Sequence, residues 1–171
     1  MKGYVQVYTG DGKGKTTAAF GLALRAAGAG LKVFIAQFVK GMRYSELDSI
    51  KRFSDLITLK QYGRGCFINQ DPTEEDIKLV RAGLEEVRGI LVSGEYQLVI
   101  MDEANIAVHY NLFTADDLVA LIDVRPDGVE LVITGRYARQ SVLDKADLVT
   151  EMREVKHYYN QGVMAREGIE K

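Results

Sequence analysis

Short apolar runs alternate with stretches of helical spacing along the whole chain. The runs are Tyr4–Tyr8, Leu31–Phe38, Leu56–Lys60, Leu98–Met101, Glu130–Thr134 and Leu148–Thr150. Val33-Phe34-Ile35 and Leu98-Val99-Ile100-Met101 are apolar without alternation. That predicts strands buried on both faces, as in a parallel sheet covered by helices. Lys15 to Ala27 is apolar almost all round and predicts a buried helix, ended by Gly28 and Gly30. Ser45 to Phe53 predicts a short helix. In Thr73 to Val92, Ile77, Val80, Leu84, Val87 and Leu91 recur at steps of three and four. Thr73 caps this helix, and Glu74, Glu75 and Asp76 suit its positive start. Thr114 to Ile122 and Arg139 to Lys145 complete the set. Alternating strands and helices predict an α/β fold, with right-handed crossovers and a mostly parallel central sheet flanked by helices.

No proline-, glycine- or serine-rich linker divides the 171 residues, so one domain over 1–171 is expected. A chain of this length buries roughly 70% of its unfolded surface and needs no staples. The net charge of −2 argues against a strongly basic nucleic-acid platform. The single cysteine, Cys66, excludes an internal disulfide framework and a cysteine-only zinc site within one chain. It suits a reducing cytoplasm. Met1-Lys2-Gly3 runs directly into the first strand, so no leader is expected. No stretch approaches about 18 uninterrupted apolar residues, so no membrane span is expected either.

The first strand is followed by Thr9-Gly10-Asp11-Gly12-Lys13-Gly14-Lys15-Thr16-Thr17 and then by the apolar helix. Glycines at 10, 12 and 14 free the backbone so that its N–H groups can form an anion nest. The helix start adds unpaired N–H groups and the positive end of its dipole. Lys15 brings a mobile charge to phosphate oxygens, and the Thr16 hydroxyl is placed for Mg²⁺ or Mn²⁺. The general spacing G-x-x-x-x-G-K-[ST] would put the first glycine at Thr9, but it comes one residue later, at Gly10. The motif points to a nucleoside triphosphate without naming a reaction.

Asp102-Glu103 ends the apolar strand Leu98–Met101. A carboxylate there is what a Mg²⁺ site beside a phosphate loop needs, and spacing leaves open which of the two ligates. Arg136, in Thr134-Gly135-Arg136, either grips phosphate or ribose or is a solvated loop arginine. Arg25 is either a buried ion-pair partner or a ligand contact. Gly63-Arg64-Gly65-Cys66-Phe67-Ile68 either lines an apolar substrate pocket or packs Phe67 as a connector. Cys66 has no base argued for it and is not expected to be a nucleophile. His109 and His157 lack metal-ligand spacing to another His or Cys.

Together these features resemble the P-loop type of ATP:corrinoid adenosyltransferases. The resemblance runs over nearly the whole chain. It includes Gly10-Asp11-Gly12-Lys13-Gly14-Lys15-Thr16-Thr17-Ala18-Ala19-Phe20-Gly21, Arg25-Ala26-Ala27-Gly28 and Gln37-Phe38-Val39-Lys40-Gly41. It continues through Met101-Asp102-Glu103-Ala104-Asn105, Arg125-Pro126 and Thr134-Gly135-Arg136. It closes with Ala146-Asp147-Leu148-Val149-Thr150-Glu151-Met152 and Lys156-His157. The displaced first glycine is what this family's loop looks like.

The resemblance implies a three-layer, RecA-like P-loop NTPase fold. It also implies that Co(I) of a reduced corrinoid attacks the 5′ carbon of ATP, and that triphosphate leaves whole. ATP would then lie reversed in the loop relative to P-loop hydrolases. By motif position Thr16 and Glu103 are the metal ligands. Gly10 to Thr17, Arg25 and Arg136 are the nucleotide contacts, and Lys15, Thr16 and Glu103 carry catalysis. Asp11 stands where the family often has asparagine. The resemblance further implies a cytoplasmic enzyme, a homodimer, and an external electron donor such as a flavoprotein.

Two departures bear on the corrinoid. Cys66 and Ile68 occupy places where relatives carry aromatics that crowd the lower corrin face and expel its axial base; Phe67 stands between them. The chain also starts close to the first strand, so no N-terminal lid is expected over the corrin. The alternative reading is a P-loop ATPase or ATP-gated binding module acting on a protein or nucleic acid.

Overall fold

A computed structural model describes residues 2–40, 44–63 and 72–170. Six strands form one sheet: β1 (Val5–Thr9), β2 (Val33–Phe38), β3 (Ile57–Tyr62), β4 (Leu98–Asp102), β5 (Glu130–Thr134) and β6 (Leu148–Glu151). Their order is β3-β2-β4-β5-β1-β6, and every pairing is parallel. The expectation of a mostly parallel sheet is thus met by a fully parallel one among the described strands.

Strand parity explains the three layers. Phe34, Ala36, Phe38, Val99, Met101, Leu131 and Ile133 bury themselves on one face of the sheet. There they pack with Val80, Leu84, Val87 and Leu91 of α3 (Glu74–Ser93) and Leu118 and Leu121 of α5 (Ala115–Val124). Val33, Ile35, Leu98, Ile100 and Val132 point the other way, onto Ala19, Phe20, Ala23, Ala26 and Ala27 of α1 (Lys15–Gly28). Burial on both faces is why β2 and β4 carry no alternation. Helices α2 (Ser45–Ile50) and α6 (Gln140–Lys145) complete the set together with α4 (Ala104–His109). The helix α3 starts in a capping box between Thr73 and Asp76, and α5 in one between Thr114 and Asp117.

The structure departs from the expected elements at two helices. The helix α1 is not buried all round: Thr17, Gly21, Leu24, Arg25 and Gly28 are exposed, because only one side of it faces the sheet. The helix α4 has no counterpart among the elements that the sequence pattern predicts. It starts where Glu103 turns the chain in a left-handed conformation, φ 59°, directly after β4. The parallel arrangement brings the carboxyl ends of β1, β2, β4 and β5 together at the middle of the sheet, where ligands of open α/β sheets bind.

Candidate active site at the carboxyl edge of the sheet

The loop after β1 is shaped by two close constraints. Gly14 holds φ 114°, a left-handed value that other residues resist, and turns the chain into α1. Gly12 lies against the end of β6: its N–H donates to the Met152 carbonyl at 2.6 Å, and a Cβ there would sit 2.7 Å from that oxygen. The Lys15 ammonium folds back over the loop and donates to the carbonyls of Gly10 and Gly12, each at 2.7 Å. Lys15 is buried, and that burial together with the nearby Arg136 lowers its pKa from the usual lysine range.

Asp102 is the hub of the site and is fully buried. Its Oδ1 accepts from Thr16 Oγ1 at 2.9 Å and Thr134 Oγ1 at 2.8 Å. Its Oδ2 accepts from Lys40 Nζ at 2.8 Å and Gln37 Nε2 at 3.2 Å. Four donors fill the acceptor capacity of one carboxylate. Lys40 Nζ also reaches Thr16 Oγ1 at 3.1 Å. Burial opposes the Lys40 charge, but the Asp102 carboxylate and its hydrogen bond outweigh burial and raise the ammonium pKa. Glu103 differs from its neighbour. Its N–H donates to Thr134 Oγ1 at 3.0 Å, while its side chain borders the open cleft. Burial, and then the adjacent Asp102 charge, raise its pKa.

Three residues without glycine's freedom hold positive φ around this edge: Val39 at 62°, Glu103 at 59° and Tyr137 at 61°. Each such residue costs on the order of 1–3 kcal/mol and persists only where its surroundings hold it. Tyr137 stacks on His109 with ring centroids 4.3 Å apart, beside Arg136. Asn105 Nδ2 donates to the Gly135 carbonyl at 3.3 Å and ties this loop to α4.

A cleft of about 1010 Å³ unites these groups. Gly12 to Thr17, Lys40, Glu103 and Arg136 line its polar part, and Phe20, Leu24, Ile106 and Tyr110 its apolar part. Asp11 is exposed on the same loop, and the Gly10 carbonyl is held by Lys15. Lys13 is drawn to the far end of the chain. It donates to Glu170 Oε1 at 2.8 Å and to the Ile169 carbonyl at 3.2 Å. The Glu170 contact raises the Lys13 pKa. Hydrogen bonds from Arg166 and then Lys13 hold the Glu170 carboxyl well below its usual range, and Tyr158 OH donates to it too.

Most of the residues proposed from sequence for the nucleotide therefore meet in one cleft. Arg25 does not: it is exposed on α1, ten residues past Lys15 and so about 15 Å along the helix. Cys66, Phe67 and Ile68 lie outside the described residues. Lys40 and Glu170 were not singled out from sequence. The signal for Lys40 was there, a lysine just past a fully buried strand at the sheet's carboxyl edge. Glu170 had none, standing 157 positions from Lys13.

The donor set also fits a hard divalent cation. Thr16 offers a hydroxyl oxygen and Glu103 a carboxylate on the cleft, and an ammonium already sits on Thr16. No cluster of three or more His, Cys, Asp or Glu side chains suited to a metal forms among the described residues. A cation of this kind would complete its shell with phosphate oxygens and water.

Comparison with known proteins assigns this architecture. The search of solved structures finds a KaiC-like protein from Pyrococcus horikoshii OT3, with TM-score 0.58, 15% identity, and coverage of 88% of this chain and 73% of that one. It shares the three-layer, RecA-like P-loop fold. A corrinoid adenosyltransferase of Pseudomonas aeruginosa is 34% identical over 170 residues, 99% of this chain and 84% of the relative. One of Escherichia coli K12 is 34% identical over 170 residues, covering 86% of the relative. One of a Sinorhizobium species is 33% identical over 172 residues, covering 80% of the relative. The model of the ATP:corrinoid adenosyltransferase BtuR/CobO/CobP family matches residues 1–170, and the chain belongs to that family.

Proposed function

We propose that the protein transfers the 5′-deoxyadenosyl group of ATP to the Co(I) of a reduced corrinoid and releases inorganic triphosphate, in adenosylcobalamin biosynthesis or salvage. The observation that carries this reading is the cationic floor of the cleft. Lys13, Lys15 and Arg136 border the start of α1 in the space where a triphosphate chain would lie.

The chemistry asks for little proton transfer. An electron pair on cobalt forms the Co–C5′ bond, and the C5′–O bond breaks with its pair going to the triphosphate. The nucleophile belongs to the substrate, so the protein's work is to bind, orient and neutralise. Negative charge on the departing triphosphate is met by Lys15, Lys13, Arg136 and the loop N–H groups. Bound Mg²⁺ or Mn²⁺ at Thr16 and Glu103 would add Lewis-acid neutralisation of the same oxygens. Asp102 fixes Thr16 in place through a 2.9 Å hydrogen bond.

We assign Cys66, Phe67 and Ile68 to corrinoid contact on the strength of the family pattern. The same pattern supports a homodimer, a cytoplasmic setting and an external donor such as a flavoprotein that reduces the corrinoid. No helix of the described residues is long and apolar enough to cross a membrane.

The test is the phosphorus product. Incubated anaerobically with ATP, Mg²⁺ and reduced corrinoid, the protein is expected to release triphosphate, and to release none when the corrinoid is left out. ADP and phosphate appearing without corrinoid would overturn the reading in favour of an ATPase.

A further inference from the structure

Lys40 occupies the Thr16 hydroxyl, one of the two groups read above as ligands of a divalent cation, together with the Asp102 carboxylate that fixes that hydroxyl in place. Its ammonium is 2.8 Å from Asp102 Oδ2 and 3.1 Å from Thr16 Oγ1. It is also well shielded, with 14% of its side chain exposed against 0% for Asp102. The contact is not the chance reach of a flexible chain. Val39, β-branched and buried, takes φ 62° directly before it. A β-branched residue adopts that conformation only where the surroundings force it. The turn at Val39 brings Lys40 back over the carboxyl end of β4.

The charges define what happens when a divalent cation arrives. Asp102 carries one negative charge, and Lys40 balances it in a buried pair. A divalent cation added beside Lys40 would meet an ammonium at contact distance, with Asp102 already saturated by four donors. A triphosphate reverses that balance because it offers several negative oxygens at the same edge. Lys40 also has a place to go: its ammonium lies 5.4 Å from the Tyr44 ring centroid, and both residues line the cleft.

We propose that Lys40 is the resident cation of this cradle, so that a divalent metal enters only together with the triphosphate, which draws the Lys40 ammonium from Thr16 and Asp102 onto phosphate. The proposal rests on the metal–ATP reading above. It assigns Lys40 a positioning role: it keeps the Thr16–Asp102 pair assembled and screened until both ligands arrive, and then becomes a further phosphate contact.

Mn²⁺, followed by its electron paramagnetic resonance signal, is the probe, and the full chain is used without nucleotide. Wild-type protein is expected to bind Mn²⁺ weakly alone, and at least about tenfold more tightly once metal-free tripolyphosphate is present. Lys40→Met is expected to bind Mn²⁺ alone at least about tenfold more tightly than wild type, and tripolyphosphate more weakly. Lys40→Gln keeps a hydrogen-bond donor for Asp102 without the charge, and is expected to behave likewise if Lys40→Met does not fold. Equal Mn²⁺ affinity in wild type and either folded variant would overturn the proposal. So would Mn²⁺ binding to wild type that tripolyphosphate leaves unchanged. Adenosyl transfer by the wild type measured alongside separates the two claims. Transfer with equal Mn²⁺ affinities rejects the Lys40 role alone, and absence of transfer rejects the reading beneath it.

Discussion

Thr16 and Asp102, 86 positions apart in the chain, are joined by a 2.9 Å hydrogen bond at the start of α1. That bond couples the phosphate loop to the end of β4 and divides the labour between two adjacent acids. Asp102 is consumed by the protein's own donors, whereas Glu103 faces the cleft. The two therefore respond differently to neutralisation. Asp102→Asn strips Lys40 of its counter-charge and turns an amide N–H toward donors, and is expected to cost about 3–5 kcal/mol in urea unfolding. Glu103→Gln is expected to leave stability within about 0.5 kcal/mol and to lower adenosyl transfer. Equal unfolding midpoints for the two variants would contradict this division.

Lys15 has two tasks, since its bonds to the Gly10 and Gly12 carbonyls also shape the loop. Lys15→Ala is expected to lower kcat by about 10²- to 10³-fold, the usual loss when one charge-stabilising donor is removed. Lys15→Arg is expected not to restore it, because a planar guanidinium does not fit the contacts of a compact ammonium. Steady-state rates for the two variants check this, and near-normal turnover by Lys15→Arg would count against the geometry.

Glu170 occupies Lys13, which the proposed mechanism needs for triphosphate. Glu170→Gln should release that lysine. Exposed pairs of this kind are weak, so the expected gain in ATP affinity, read by calorimetry, is roughly 2- to 5-fold. A weaker affinity would mean that the pair positions Lys13 rather than competing for it.

The Asp117 carboxyl is held below its usual range, chiefly by the Thr114 N–H at the start of α5. A depressed acid stabilises the fold above its unfolded pKa, and that part is lost as pH falls through the folded value. Asp117→Asn is expected to be about 0.5–2 kcal/mol less stable than wild type at neutral pH, with the gap closing in acid. A gap that persists in acid would assign the effect to something other than the carboxylate's charge.

Much of the frame could be read because burial leaves a one-dimensional trace. The strands β2 and β4 lack alternation since helices cover both faces, and α3 shows its buried stripe at helical steps. The helix α4 left no such trace, because it depends on a left-handed turn at Glu103 that no glycine announces. The exposed side of α1 was hidden by Leu24, an apolar residue that lines the cleft instead of the core. In the site, the loop, Thr16 and the acid pair were legible as motifs, but the separate duties of Asp102 and Glu103 were not. Those follow from strand parity. Asp102 shares the face of Leu98 and Ile100, which is the face α1 packs on, so its carboxylate meets Thr16. Parity becomes informative only once the side that α1 covers is known. The pairing of Lys13 with Glu170 joins distant segments, and no local pattern encodes it.

The proposed transfer of an adenosyl group from ATP to cobalt leaves a trace in the cobalt spectrum. The most direct measurement follows the absorbance of chemically reduced cobalamin under anaerobic conditions with ATP and Mg²⁺, while triphosphate is counted in the same sample. The account predicts that the Co(I) band disappears, an alkylcobalt spectrum takes its place, and one triphosphate is released per cobalt alkylated. If both cobalamin and a cobyrinic acid diamide keep the Co(I) spectrum while ATP is cleaved to ADP and phosphate, the account is contradicted.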